Sequence, residues 1–259
     1  MNETSIKIAG VDLELVTANE NRDGAIVFLH SGQGYDPWRP FAAQLAGQRR
    51  LVAPSHPGFG KSSLPFWLDS IDDVAHIYLE LLDRLDIAQA DVVACSVGGW
   101  IAAEMASKAP DRIRRLALMA PVGVKTGPAE KLDIPDLFAM PQADVDKLVY
   151  REPAKMVADL GKLADDELAI VFRNRESLAL LVWEPWMHNP KLKHRLHRVT
   201  APALLVRGDA DGVVSDAYLQ AYAKLLPNAR TATISGAGHL PHLEQPQAVH
   251  AAISKFLES

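Results

Sequence analysis

The sequence predicts an α/β fold: a mostly parallel twisted sheet flanked by helices, with a helical insertion past its middle. Three observations carry this expectation. Apolar runs of strand length recur between stretches of helical period. Several of those runs are continuously apolar, as strands buried on both faces of a parallel sheet are. From about residue 127 to 199 the strand signal stops, and helical patches sit between prolines.

The elements follow in order. Residues 6–8 and 13–16 read as an opening hairpin turned at Gly10. Residues 25–29 are apolar throughout, 51–53, 91–94, 116–119 and 203–206 repeat that strand signal, and 231–234 closes the series. Between them, 72–85 carries Val74, Ile77, Tyr78, Leu81, Leu82 and Leu85, spaced three and four apart. Shorter helical stretches fall at 41–45, 101–108, 217–226 and 248–257. Strand–helix alternation implies right-handed crossovers and a parallel sheet. Residues 1–126 and 200–259 then form one core, and 127–199 a cap with helices expected at 145–150, 154–163 and 167–182. Long insertions in α/β folds often act as lids over a site.

Composition narrows the function. The net charge is −5 and there is no long basic run, which argues against a nucleic-acid partner. No apolar run approaches the ~18–20 residues a membrane span needs. The N-terminus Met1-Asn2-Glu3-Thr4-Ser5 is polar and shows no leader pattern, so a cytoplasmic protein is expected. A single cysteine, Cys95, excludes an intrachain disulfide and a cysteine metal cluster.

The sharpest motif is Val92-Val93-Ala94-Cys95-Ser96-Val97-Gly98-Gly99, a buried strand, a serine, glycines and then a helix. Such a turn lifts a serine hydroxyl clear of the sheet edge, and small flanking residues let strand and helix approach. Ala94 stands where glycine is usual. Ser96 is therefore the candidate nucleophile, against readings in which it caps a helix at Ile101 or in which Cys95 attacks instead. A serine nucleophile needs a base, and the base an orienting carboxylate. Past residue 206 the chain reads Arg207-Gly208-Asp209-Ala210-Asp211-Gly212, and the Gly-x-x-Asp spacing favours Asp211 over Asp209 as the acid. Past the last strand, Gly236-Ala237-Gly238-His239-Leu240-Pro241-His242 favours His239 over His242 as the base, because glycines lead into it.

Acyl transfer also needs donors for a developing oxyanion. The backbone amide of Val97 is one candidate, and that of Gly32 in His30-Ser31-Gly32-Gln33-Gly34 the other. Candidates for substrate contact are Gln33, the aromatic pair Trp183 and Trp186, and the cap arginines Arg173 and Arg175. The tryptophans could equally pin the cap, and the arginines could equally be solvated. Gly60-Lys61-Ser62 looks like the end of a phosphate loop, but the first glycine it needs falls on Ser55. No metal-ligand spacing is present.

With these residues placed, the chain resembles the α/β-hydrolase superfamily over nearly its whole length, and most of all its capped bacterial serine hydrolases. The matching motifs are Phe28-Leu29-His30-Ser31-Gly32, Pro57-Gly58-Phe59-Gly60-Lys61-Ser62, the Ser96 turn, Gly208-Asp209-Ala210-Asp211 and Gly238-His239. The resemblance implies no cofactor and a small-molecule substrate held between sheet and cap. The motifs are specific for the fold and not for the substrate, and the leading reading is cleavage of a carboxylic ester or lactone through an acyl-enzyme. Carbon–carbon hydrolases of diketone-like substrates are similar, but they usually carry tryptophan after the catalytic histidine, where this chain has Leu240. A binding protein on the same scaffold is the third reading.

Overall fold

The structure is a computed structural model that describes residues 1–34, 38–47 and 49–259. Strands β1 (Asn2–Ile8) and β2 (Val11–Ala18) form the expected hairpin, longer at both ends. There follow β3 (Ala25–Leu29), α1 (Trp38–Ala46), β4 (Leu51–Pro54), α2 (Ile71–Arg84), β5 (Ala90–Cys95), α3 (Val97–Lys108) and β6 (Ile113–Met119). The insertion carries α4 (Gln142–Val149), α5 (Pro153–Met156) and α6 (Asp165–Val182). The chain closes with β7 (Ala203–Gly208), α7 (Asp216–Ala223), β8 (Ala229–Ile234), α8 (Pro241–Glu244) and α9 (Pro246–Glu258).

The eight strands lie in the order β1-β2-β4-β3-β5-β6-β7-β8, antiparallel on either side of β2 and parallel from β4 to β8. Every residue of β3, β5 and β7 is buried, because helices cover both faces of a parallel sheet. The edge strand β1 is mostly exposed and β8 half exposed, and they carry Glu3, Lys7 and Arg230, charges that discourage edge-to-edge pairing. Helix α2 packs on α3, and α1 on α9. Ser70 starts α2 by accepting the Asp73 amide, and Asp72 and Asp73 suit the positive end of the helix.

Strand order places the site. From β3 the chain forms β4 on one side, then crosses back to form β5 on the other. The loops after β3 and β5 therefore diverge at a switch point, the place where open α/β sheets bind ligands beyond the carboxyl ends of their strands. Ser96 follows β5 and Gly32 follows β3, in register at Leu29↔Ala94.

Two sequence expectations need correction. Residues 154–163 do not form one helix. Helix α5 ends at Met156, Val157 is extended, and a single 3₁₀ turn follows at Leu160–Lys162, where the Asp159 side chain takes the Gly161 amide. Val157 and Leu160 are exposed, so their helical spacing has no core to pack on. Helix α3 begins at Val97, four residues before the expected start at 101.

Candidate active site

Ser96 leaves β5 at φ 54° and ψ −115°, a conformation that side chains other than glycine rarely hold. Its amide donates to Met119 O at 2.9 Å, and its carbonyl accepts the Trp100 amide at 3.2 Å, which starts α3. Its side chain makes no capping bond, so the hydroxyl is free for another partner. A Cβ added at Gly98 would lie 2.4 Å from both Leu29 O and His30 O. Only glycine lets the first turn of α3 press this closely on the strand beside it. Gly99 makes its close approach to Pro121 in the loop after β6.

That partner is His239, whose Nε2 is 2.8 Å from Ser96 Oγ. Its Nδ1 is 3.2 Å from each carboxylate oxygen of Asp211. Asp211 Oδ1 also accepts the amides of Val213 at 2.9 Å and Val214 at 2.8 Å. A carboxylate held by three donors is an acceptor, so His239 Nδ1 carries the proton and Nε2 takes the hydroxyl of Ser96. All three side chains are buried, Ser96 being 7% exposed. The insertion takes part: Val149 O, at the end of α4, accepts the His239 amide at 2.7 Å.

The rival residues sit elsewhere. Asp209 accepts the Gly236 amide and the Ser235 hydroxyl, closing the loop that leads into His239. His242 is buried between Phe28 and Phe41, with neither ring nitrogen hydrogen-bonded. Burial, then the nearby His239, pushes its pKa down to about 3. Cys95 is fully buried in β5.

Val97 is the first residue of α3, and helix geometry leaves its amide without an intrahelical acceptor. Gly32 lies under α6: a Cβ added there would be 2.8 Å from Leu178 Cδ1. Around it, Asn174 Nδ2 donates to Gln33 O at 3.1 Å, Asn174 Oδ1 accepts the Gly60 amide at 2.9 Å, and Ser177 Oγ donates to Gly58 O at 2.8 Å. Tyr150 donates to Gln33 Oε1 at 2.9 Å. Sequence reasoning missed Asn174, Ser177 and Tyr150. With Leu178 and Leu181, Asn174 and Ser177 form a stripe at helical spacing, half of it polar because it meets loop backbone and not a hydrophobic core.

The structure does not bring the other candidates to Ser96. Arg173 spends its guanidinium on Gly60 O and Ser62 O, and Arg175 on Gln142 Oε1 and the face of Phe138. Trp183 is 56% exposed and meets Trp186 and Phe138 edge to face or tilted. Trp186 donates to Ile134 O and lines a cavity of about 100 Å³ with Ile134, Met187, Asp133 and Lys125, a lining without Ser96, Asp211 or His239. Among the described residues no group of three or more His, Cys, Asp or Glu is placed to hold a metal ion, and no helix is long and apolar enough to cross a membrane.

The model of the alpha/beta hydrolase family matches residues 26–252. The dihydrolipoyllysine-residue acetyltransferase component of the acetoin cleaving system of Pseudomonas putida is 27% identical over 250 residues, covering 90% of this chain and 63% of that protein. This chain thus spans less than two thirds of that relative. A 2-hydroxy-6-oxononadienedioate/2-hydroxy-6-oxononatrienedioate hydrolase of Cupriavidus pinatubonensis is 30% identical over 272 residues, covering 93% of this chain and 90% of the relative. Among solved structures, a serine hydrolase from the polyaromatic hydrocarbon-degrading bacterium Cycloclasticus zankles shares the fold with a TM-score of 0.81 at 20% identity, over 99% of this chain and 98% of that one.

Proposed function

Because the chain belongs to the alpha/beta hydrolase family, we propose that it is a serine hydrolase that cleaves a small-molecule carboxylic ester or lactone through an acyl-enzyme on Ser96. The observation that carries the reading is the unbroken hydrogen-bonded series Ser96 Oγ, His239, Asp211, with the hydroxyl 2.8 Å from the base. As Ser96 Oγ attacks the acyl carbon, its proton passes to His239 Nε2. Asp211 holds the ring in the required tautomer and balances the imidazolium that forms. The amides of Val97 and Gly32 receive the negative charge on the former carbonyl oxygen. His239 then gives its proton to the departing alkoxide, and water attacking the acyl-enzyme repeats the cycle. Residues 127–199 act as the cap, and α6 closes the site over the loop after β3.

Carbon–carbon hydrolysis is the second reading, favoured by the name of the Cupriavidus relative. Against it stand Leu240 after the base and the two cap arginines, which hydrogen-bond Gly60, Ser62 and Gln142. A fluorophosphonate should label Ser96 alone, and Ser96→Ala should lower p-nitrophenyl butyrate turnover on the order of 10⁴–10⁶-fold. Labelling that survives in the alanine variant refutes the assignment. A labelled wild type that cleaves diketones and no ester or lactone selects the second reading. A folded protein that is neither labelled nor active is a binding protein.

A further inference from the structure

Three side chains packed at the loop after β3 are not used by the reaction above. His30, His56 and Tyr78 come from the loop after β3, the loop after β4 and the middle of α2, and all three are buried. His30 Nδ1 is 2.7 Å from Ser31 O, and His30 Nε2 is 3.0 Å from the His56 amide. His56 Nε2 is 2.9 Å from His30 O, and His56 Nδ1 is 2.6 Å from the Tyr78 hydroxyl. The two rings lie 3.7 Å apart between centroids.

The partners allow one arrangement of protons. Ser31 O and His30 O are carbonyl oxygens and can only accept, so His30 Nδ1 and His56 Nε2 carry hydrogens. The remaining nitrogens must accept: His30 Nε2 from the His56 amide, His56 Nδ1 from the Tyr78 hydroxyl. Tyr78 then donates to the His56 ring, whose Nε2–H donates to the His30 carbonyl, while the His56 amide donates to the His30 ring, whose Nδ1–H holds the carbonyl of Ser31. Burial keeps both rings uncharged near neutrality, holding His30 at about 4 and His56 well below the usual histidine value.

The end of this series is the Ser31–Gly32 peptide. It is planar and trans, so its N–H points opposite to its C=O. Fixing Ser31 O against the His30 ring therefore fixes the direction of the Gly32 amide. The neighbouring amides of Gln33 and Gly34 are spent inside the turn, on Ser31 Oγ and Ser31 O. We propose that His56 and Tyr78 are positioning residues for the Gly32 oxyanion donor, acting through His30 on the plane of the Ser31–Gly32 peptide. The inference rests on the serine-hydrolase reading of Ser96.

Tyr78→Phe tests it with the loss of one oxygen atom. Without the hydroxyl, His56 can place its proton on Nδ1, and a lone pair then faces His30 O. Outright loss of an oxyanion donor costs on the order of 10²–10³-fold in kcat, and a loosened one about tenfold. Tyr78→Phe should therefore lower kcat for p-nitrophenyl butyrate about tenfold with KM unchanged. It should weaken inhibition by phenylboronic acid, which forms a tetrahedral adduct on serine, in the same proportion. His56→Leu should behave alike, and His56→Gln, whose amide nitrogen stands near the Nε2 position, should recover most of the loss. A change in melting temperature with kcat and boronate affinity intact, or a rise in KM alone, overturns the proposal. Fluorophosphonate labelling of wild-type Ser96 separates the two failures. If Ser96 labels while Tyr78→Phe behaves as wild type, this inference falls and the hydrolase reading stands. If wild-type Ser96 does not label, both fall.

Discussion

Acid should unfold this protein through three buried histidines, and His242 supplies the test. Burial holds His30 at about 4 and His242 at about 3 against an ordinary 6.5, and holds His56 well below it. Lowered values mean that the native state refuses protons which the unfolded chain accepts. This stability is complete above about pH 6.5, the unfolded value, and is lost as pH falls toward the folded values. At 1.36 kcal/mol per unit, His30 accounts for about 3 kcal/mol and His242 for about 5 kcal/mol. Together they rival the ~5–15 kcal/mol that stabilises a whole domain. Near pH 5 unfolding should take up about three protons at these sites, a slope of about 4 kcal/mol per pH unit. Urea unfolding followed by tryptophan fluorescence and circular dichroism, repeated from pH 7.5 to pH 4.5, measures that slope. His242→Leu should reduce it by about 1.4 kcal/mol per unit. The same change should cost little at pH 7.5, because neither ring nitrogen of His242 has a protein partner to lose. Stability that stays flat from pH 7.5 to pH 4.5, or a slope untouched by His242→Leu, would refute the reasoning.

Three further outcomes are expected. Asp211→Asn should keep the fold and lower turnover roughly 10⁴-fold by releasing the His239 tautomer, whereas Asp209→Asn should lower the melting temperature with little effect on rate; steady-state kinetics and calorimetry on both variants would expose a misreading if the two exchanged behaviour. Gly98→Ala should lose soluble protein or at least about 1–3 kcal/mol, since its methyl group would sit 2.4 Å from two backbone oxygens; an alanine variant with wild-type melting and labelling would contradict that. Trp186→Ala should cost roughly 2–4 kcal/mol because the ring packs on Phe138 and donates to Ile134, and the exposed Trp183→Ala within about 0.5 kcal/mol; thermal melts that rank the pair the other way would show that Trp186 does not pin the insertion.

Local patterning by itself determined much of this protein. The runs at 25–29, 91–94 and 203–206 read as strands covered on both faces, and they became β3, β5 and β7. Ser96 with Gly98 and Gly99, Asp211 after a strand and His239 after the last strand were legible because the turn at Ser96 needs an unusual φ and the loops at Gly208 and Gly238 need close backbone approach, and such places are written in glycines and short motifs. The tertiary structure decided the rest, because it depends on which surface each segment meets. Helical spacing at 154–163 came to little where Val157 and Leu160 found nothing to pack on. Arg173, read as a partner for substrate, found the carbonyls of Gly60 and Ser62, 113 and 111 residues away. Asn174 and Ser177 carry no signature as separators of a helix from a loop until that loop lies beneath them. Neither does the series Tyr78, His56, His30: three unremarkable residues from distant segments acquire one proton arrangement only when burial removes water as an alternative partner.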